Sequence, residues 1–383
     1  MFEKALKGSG RYWAWLAVLA GVIGVGVGFW FMQFHRGLTI TGLSRDVAWG
    51  FYIAQFTFLV GVAASAVMVV LPYYLHDFKV FGKVTILGEF LAISAVTMCM
   101  LFIFVDMGQP FRILNVFLHP TPHSLMFWDT VSLFGYLVLN AVIAYVTLDA
   151  ERMGVAPRRW IRPVIILSIP WAISIHTVTA MLYSGLAGRP FWLSAVLAPR
   201  FLASAFSSGP ALLILLVLLL RRVTRFDAGT EPVRKLAVIV TYAMCINVFF
   251  ILMEFFTAFY SGIPGHAEHF RYLLGIGEHS RLAPWMWASY LLAAVSLVLL
   301  INPKTRNNLR LLPWTCVLVF ASIWIDKGLG MVVTGFIPSP LGEIVEYSPT
   351  FPELMISVGV YAIGALLITL FYKITVGVRE SIA

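Results

Sequence analysis

Charge is scarce in this chain. Only 12% of its 383 residues are Asp, Glu, Lys or Arg, where a soluble domain carries about 25%. Cysteine is scarcer still: Cys99, Cys245 and Cys316 each lie within an apolar stretch, and none belongs to a CxxC or CxxH. There is thus no case for an iron–sulfur cluster, a zinc site or a disulfide framework, and buried inert thiols are expected. Histidine is missing where a haem would need it. His35, His76, His119, His123, His266, His269 and His279 fall in loops or at the ends of apolar stretches, and only His176 lies well inside one. A membrane cytochrome b holds iron through paired intramembrane histidines, so a bis-histidine haem is not expected, and nothing specific supports Met181 or Met253 as a ligand.

What the chain has in abundance is apolar surface. Hydrophobic residues make up 60%, aromatics 15% with 12 Trp, and the mean hydropathy is +0.89. About 20 apolar residues cross a bilayer as a helix, and Trp anchors such helices at the interfaces. Ten segments qualify: 12–34, 48–71, 84–105, 124–147, 163–186, 201–220, 236–261, 283–301, 311–335 and 353–376. The first follows Lys4, Lys7 and Arg11 but is too long for a signal-peptide core, so it is read as a retained span. PFWLSAVLAP at 190–199 is too short to cross and is expected to lie along the interface. The expectation is an all-α polytopic membrane protein, residues 1–383 forming one integral membrane domain.

Basic residues orient it. The termini and the loops after spans two, four, six and eight hold 19 of the 27 Lys and Arg residues. The opposite loops hold seven, namely Arg36, Arg45, Arg112, Arg189, Arg200, Arg271 and Arg281, and Lys327 lies within a span. Positive charge stays inside, so both termini are expected in the cytoplasm, in a cytoplasmic (inner) membrane. The net charge of +9 follows from this topology and gives no reason to invoke nucleic acid.

Ionisable residues inside spans are costly, by about 2.5–3.5 kcal/mol on insertion scales, and are functional candidates by default. Glu89, His176, Glu254 and Asp326 stand out, with Lys327 beside the last. Glu89 lies roughly 9 Å in from the cytoplasmic end, and Asp106 is 17 residues beyond it at the outer mouth. Each could simply satisfy a neighbouring helix, but four sites on four spans argue for a polar path. Adjacent helical residues point apart, so Asp326 and Lys327 are expected to pair elsewhere than with each other. If spans two to five and six to nine are parallel halves, Glu89 and Glu254 share one position and His176 and Asp326 another, a trace of duplication without local sequence match.

The outer stretch 104–129, FVDMGQPFRILNVFLHPTPHSLMFWD, resembles the Asp-x-Gly-x-Pro-x-Arg…Asn…Pro…Ser signature after the third span of the NrfD/polysulfide reductase membrane-subunit family. AWGFYIAQFTF at 48–58, SIHTVTAMLYSG at 174–185, ILMEFFTAFYSG at 251–262 and SPTFPELMISVG at 348–359 are similar to further family segments, in the order of its ten-span, HybB-like branch. The resemblance implies two four-helix bundles, 48–186 and 201–335, flanked by the helices at 12–34 and 353–376. It implies a protein without haem or iron–sulfur cluster of its own, exchanging electrons between menaquinone and a periplasmic ferredoxin-like iron–sulfur subunit. A multihaem cytochrome c, a haem b membrane subunit and a cytoplasmic iron–sulfur subunit would be its neighbours.

On that reading the quinone head group sits at the outer end of the first bundle, with Asp106 and His176 as contacts or proton-exchange groups. His suits such a role unperturbed, and Asp when partly desolvated. Arg112, His123 and Ser124 would shape the mouth or bind the partner, although an exposed loop histidine is the plainer reading of His123. Glu89, Glu254, Asp326 and Lys327 would convey protons, and no metal site is expected. Two rivals stand: a secondary transporter with mid-membrane carboxylates, which should show interrupted helices at matching points of the halves, and a non-catalytic anchor.

Overall fold

The computed structural model describes residues 2–76, 78–224, 226–277 and 280–380. Arg225 and His279 lie outside the described residues. Those that are described form helices, turns and loops, with no strand among them. Ten helical segments are long and apolar enough to cross a membrane. They are Gly10–Ile40, Phe51–Leu75, Lys79–Asp106, Leu125–Met153, Ile161–Ser184, Leu197–Val223, Glu231–Tyr260, Ala283–Ile301, Leu312–Thr334 and Phe351–Glu380, called spans 1 to 10. Each coincides within a turn or two with the segment expected from hydropathy.

Burial explains why hydropathy alone found them. Spans 2 and 3 are apolar on every side and lie almost wholly inside the protein, whereas span 1 exposes most of its surface and span 10 much of its own. Spans 2 to 5 pack among themselves, as do spans 6 to 9, and span 2 touches spans 6 and 9. Spans 1 and 10 pair with each other, and span 10 also covers spans 3 and 4. Their approach is set by glycine: a Cβ on Gly26 would come 2.7 Å from the Gly359 Cα. Small residues of this kind let membrane helices close on van der Waals contact where water supplies no driving force.

Two features depart from sequence expectation. The first is the 190–199 segment. Pro190–Trp192 is a buried turn, and the helix of span 6 is already under way from Leu197. Trp192 donates its indole N–H to the Met331 carbonyl at 2.9 Å and packs against Trp49, Tyr183 and Phe336. The segment therefore packs its Phe191 and Trp192 among neighbouring helix ends. The second is Arg200, which sits inside span 6 and is buried. It leaves the count of loop charges, and its aliphatic surroundings had disguised how far the helix extends towards its N-terminus.

Besides the 3₁₀ turns at the ends of spans 1 and 3, helix regularity breaks inside two spans among the described residues. A 3₁₀ turn at Ala64–Ala66 interrupts span 2, and Trp324–Gly330 of span 9 is wound as a π-helix. Pro170 and Pro210 lie within continuous helix.

Candidate functional site

Span 3 ends at Asp106 because Met107–Gly108–Gln109–Pro110 cannot continue it: Gly is permissive and Pro has no N–H to donate. The carbonyl just before, on Val105, accepts from the Gln33 side-chain Nε2 at 2.6 Å, and Gln33 Oε1 accepts from the Tyr52 hydroxyl at 2.7 Å. Spans 1, 2 and 3 are thus tied together by one buried amide. Beside it lies a small cleft lined by Trp30, Gln33, Phe34, Leu38, Met107 and Pro110. Trp30 stacks on Phe34 and on Phe104, giving the cleft a rigid aromatic wall, and Phe34 is exposed at its rim. The Asp106 Oδ1 atom is buried without a hydrogen-bond partner among the described residues. Buried polar atoms are seldom left so, and the exceptions ask for an explanation.

A second carboxylate stands at the same end and was not singled out from the sequence. Glu353, the third residue of span 10, is fully buried. Its oxygens accept from the Gly42 N–H at 2.7 Å, the Thr350 N–H at 2.7 Å and the Tyr347 hydroxyl at 2.8 Å. The Tyr347 oxygen in turn accepts from the Phe51 N–H at 2.7 Å, fixing the start of span 2. Burial, together with the Glu353 charge, pushes the Tyr347 hydroxyl up from its ordinary range, so it stays a donor. The signal lies in SPTFPELMISVG, where a glutamate opens an apolar run, but a carboxylate at the start of a flanking helix looks like an ordinary helix terminus. Glu353 lies within electrostatic reach of Asp106 and Tyr52.

Further in, His176 is fully buried and neither ring nitrogen has a partner among the described residues. It lies seven residues before Tyr183, hence about 10 Å deeper along span 5. The structure does not join it to Asp106 by any hydrogen bond. One helical turn away, Thr179 donates to Asp129 at 2.6 Å, so the buried Asp129, another residue the sequence did not single out, is partnered where His176 is not. Thr57 and Tyr183 hydroxyls meet at 2.5 Å between spans 2 and 5.

The other half holds a compact ion cluster. The Arg200 guanidinium binds Glu254 through one nitrogen and both oxygens of Asp326 through the other, at 2.8 and 2.7 Å. A small cavity adjoins the cluster, walled by Phe255, Met286, Tyr290 and Met331. Glu254 and Asp326, two candidates on different spans, are brought together by a third residue that the sequence placed in a loop. Lys327 turns the other way. Its ammonium rests 4.4 Å from the centre of the Phe201 ring and 3.4 Å from the Phe201 carbonyl, over Gly61 of span 2, where a Cβ would sit 3.1 Å from Nζ. The π-helical winding of span 9 carries both residues, and windings of this kind often occur at functional sites. Lys327 lies within electrostatic reach of His176 and Cys99.

Glu89 is buried in the half of span 3 away from Asp106, about 25 Å along the helix, with Oε2 unpartnered among the described residues. Arg112 and His123 are exposed and Ser124 is half-buried at the start of span 4, none of them hydrogen-bonded to Asp106. None of these three lines the cleft next to Asp106.

Residues 39–327 match the family described as Polysulphide reductase, NrfD, and the chain belongs to that family. Among full-length relatives it is similar to a putative dimethyl sulfoxide reductase membrane subunit of Halobacterium salinarum, 27% identical over 92% of this chain and 89% of the relative. It is also similar to the Hdr-like menaquinol oxidoreductase integral membrane subunit of Archaeoglobus fulgidus, 23% identical over 97% of this chain and 95% of the relative. The integral membrane subunit of the menaquinone reductase of Nitratidesulfovibrio vulgaris is 22% identical over 95% and 91%. The protein is thus a multi-pass integral membrane protein of the NrfD family.

Proposed function

We propose that this protein is the quinone-interacting membrane subunit of a multi-subunit redox complex, exchanging electrons between menaquinol or menaquinone and an iron–sulfur partner. The observation that carries the proposal is the cleft beside Asp106. Quinone chemistry needs an apolar slot for the ring, polar groups at the ring oxygens and a proton acceptor; the cleft offers aromatic walls and the Gln33 amide, and Asp106, with its unpartnered carboxylate oxygen, immediately precedes Met107 of the lining. Its rim reaches exposed Phe34 on the sparsely buried span 1, so an isoprenoid quinone can enter from the bilayer. Relatives named as menaquinol oxidoreductase and menaquinone reductase membrane subunits support the choice of quinone.

Oxidation of a quinol releases two electrons and two protons. The electrons pass to the docked partner, and Asp106 receives protons at the ring oxygen; reduction runs the same transfers backwards. His176 is the second proton-exchange group, two turns deeper than Tyr183 along span 5, and Glu89, Glu254, Asp326 and Lys327 convey protons through the interior. Arg112, His123 and Ser124 form the rim that meets the partner. The side bearing Asp106 is the outer one and both termini are cytoplasmic, as the basic residues indicate. Spans 2 to 5 and 6 to 9 act as two four-helix bundles, with spans 1 and 10 flanking.

The stretches SRDVAWGFYIAQFTFLVGVAASAVMVVLPYYLHDF and LGEFLAISAVTMCMLF favour, within the family, the DsrP subunit of the DsrMKJOP complex. That assignment names the partners: a periplasmic ferredoxin-like iron–sulfur subunit, a multihaem cytochrome c, a haem b membrane subunit and a cytoplasmic iron–sulfur subunit. The test is Asp106→Asn in the assembled complex. Menaquinol-linked electron transfer should fall about 10²- to 10⁴-fold, the usual weight of a general acid–base group. An unchanged rate with intact assembly would leave the anchor reading standing.

A further inference from the structure

The family match begins at residue 39, yet one whole wall of the cleft, with Trp30, Gln33, Phe34 and Leu38, precedes it. Gln33 is the only one of these four with an amide side chain, and it is buried. A side-chain amide offers two N–H donors and two acceptor lone pairs. One N–H is committed to the Val105 carbonyl, and one lone pair to the Tyr52 hydroxyl. One donor and one acceptor position remain, on a residue that lines the cleft.

We propose that Gln33 is the ligand of the quinone ring oxygen, contributed by span 1 from outside the segment shared with the family. This rests on the reading of the cleft as a quinone site and adds to it the residue that selects the head group. The remaining N–H donates to a quinone carbonyl, and the remaining lone pair accepts from a quinol hydroxyl. The same amide therefore holds both redox forms without flipping, because its other two bonds fix which edge faces Val105 and which faces Tyr52. Tyr52 acts through Gln33 and is a positioning residue. A carboxylate in this place could not donate, and an alkyl side chain could do neither.

The experiment is a fluorescence-quenching titration of a hydroxyquinoline N-oxide, a quinol analogue, against the full-length protein in lipid nanodiscs. Wild type should bind saturably, and Gly108→Phe, which fills the cleft, should abolish binding. Gln33→Leu should weaken binding about tenfold and Tyr52→Phe about threefold, in keeping with loss or loosening of one hydrogen bond. The Tyr52→Phe effect should vanish in the Gln33→Leu background, a non-additivity that a purely structural role would not give. If Gly108→Phe abolishes binding but Gln33→Leu binds like wild type, the role of Gln33 is overturned and the cleft survives. If Gly108→Phe binds like wild type, the cleft itself is the wrong site. Should Gln33→Leu fail to fold, Gln33→Glu keeps the size and an acceptor but loses the donor, and the same comparison is read from it.

Discussion

The two halves of the molecule treat buried charge in opposite ways. Around Arg200 every ionised group is answered: one guanidinium holds Glu254 and Asp326, and Lys327 covers an aromatic face. Among spans 2 to 5 Asp129 is held by Thr179, but three ionisable residues are left short, with Asp106 Oδ1, both His176 nitrogens and Glu89 Oε2 unpartnered among the described residues. A fully paired cluster resists change because removing one member strands the others. An unpartnered group in a low-dielectric interior is costly unless something else meets it, such as a substrate or a proton. The difference separates a half in which charge holds helices together from one in which charge is kept available.

The contrast is broken most severely at Arg200. Arg200→Met leaves two buried carboxylates facing each other without their cation, and loss of one member of a buried pair costs about 3–5 kcal/mol. Little assembled protein should survive, as read by thermal unfolding in detergent. The triple change Arg200→Met, Glu254→Gln, Asp326→Asn removes the stranded charges and should regain much of that loss. If Arg200→Met melts like wild type, the cluster is not holding the second half together.

The same logic separates two carboxylates that look alike in sequence. Glu254→Gln should lower stability, since Arg200 loses a charged partner, whereas Asp106→Asn should leave the melting temperature near wild type while electron transfer collapses. Equal effects of the two on stability would erase the distinction drawn between the halves.

Hydropathy and charge made the ten spans legible because a bilayer demands long uninterrupted apolar helices, and that demand is local. The same locality limited the reading of the site. Asp106 stood out because it closes a helix before Gly and Pro, and Glu254 and Asp326 because they interrupt apolar runs. Arg200 was hidden since the preceding PFWLSAVLAP looked like a surface stretch, so the cation that unites the two acids fell outside the membrane in sequence. Gln33 and Glu353 were missed for a different reason: they sit near the ends of the first and last spans, and only folding brings those two helices against spans 2 and 3. What hydropathy cannot carry is the pairing of residues such as Gly42 and Glu353, 311 positions apart in the chain.

His176 sharpens the comparison further. In the paired half a neutral substitution costs stability, but His176→Leu removes two unmade hydrogen bonds from an apolar interior. The variant should be as stable as wild type or more so, by up to about 1–3 kcal/mol. Electron transfer should nevertheless fall, and a loss of stability instead would mean that the imidazole has structural partners.

The smallest effect is expected outside the spans, at the helix Pro264–Leu274 that lies across the Asp106 end of the second half. His269 on this helix is buried, with Nδ1 2.9 Å from the Thr334 carbonyl and 3.0 Å from that of Ile337. Burial lowers its pKa more than these two bonds raise it, and of its charged neighbours His266 adds to the lowering while Glu268 opposes it. The folded state therefore prefers the neutral ring, and the unfolded state, near its ordinary value of about 6.5, binds the proton more readily. The contribution of this contact is complete above about pH 6.5 and is lost as the pH falls through the lower folded value. Amide exchange within 264–274 should quicken between neutral and mildly acidic pH relative to span 8, and His269→Gln, which keeps a donor but cannot titrate, should remove that difference.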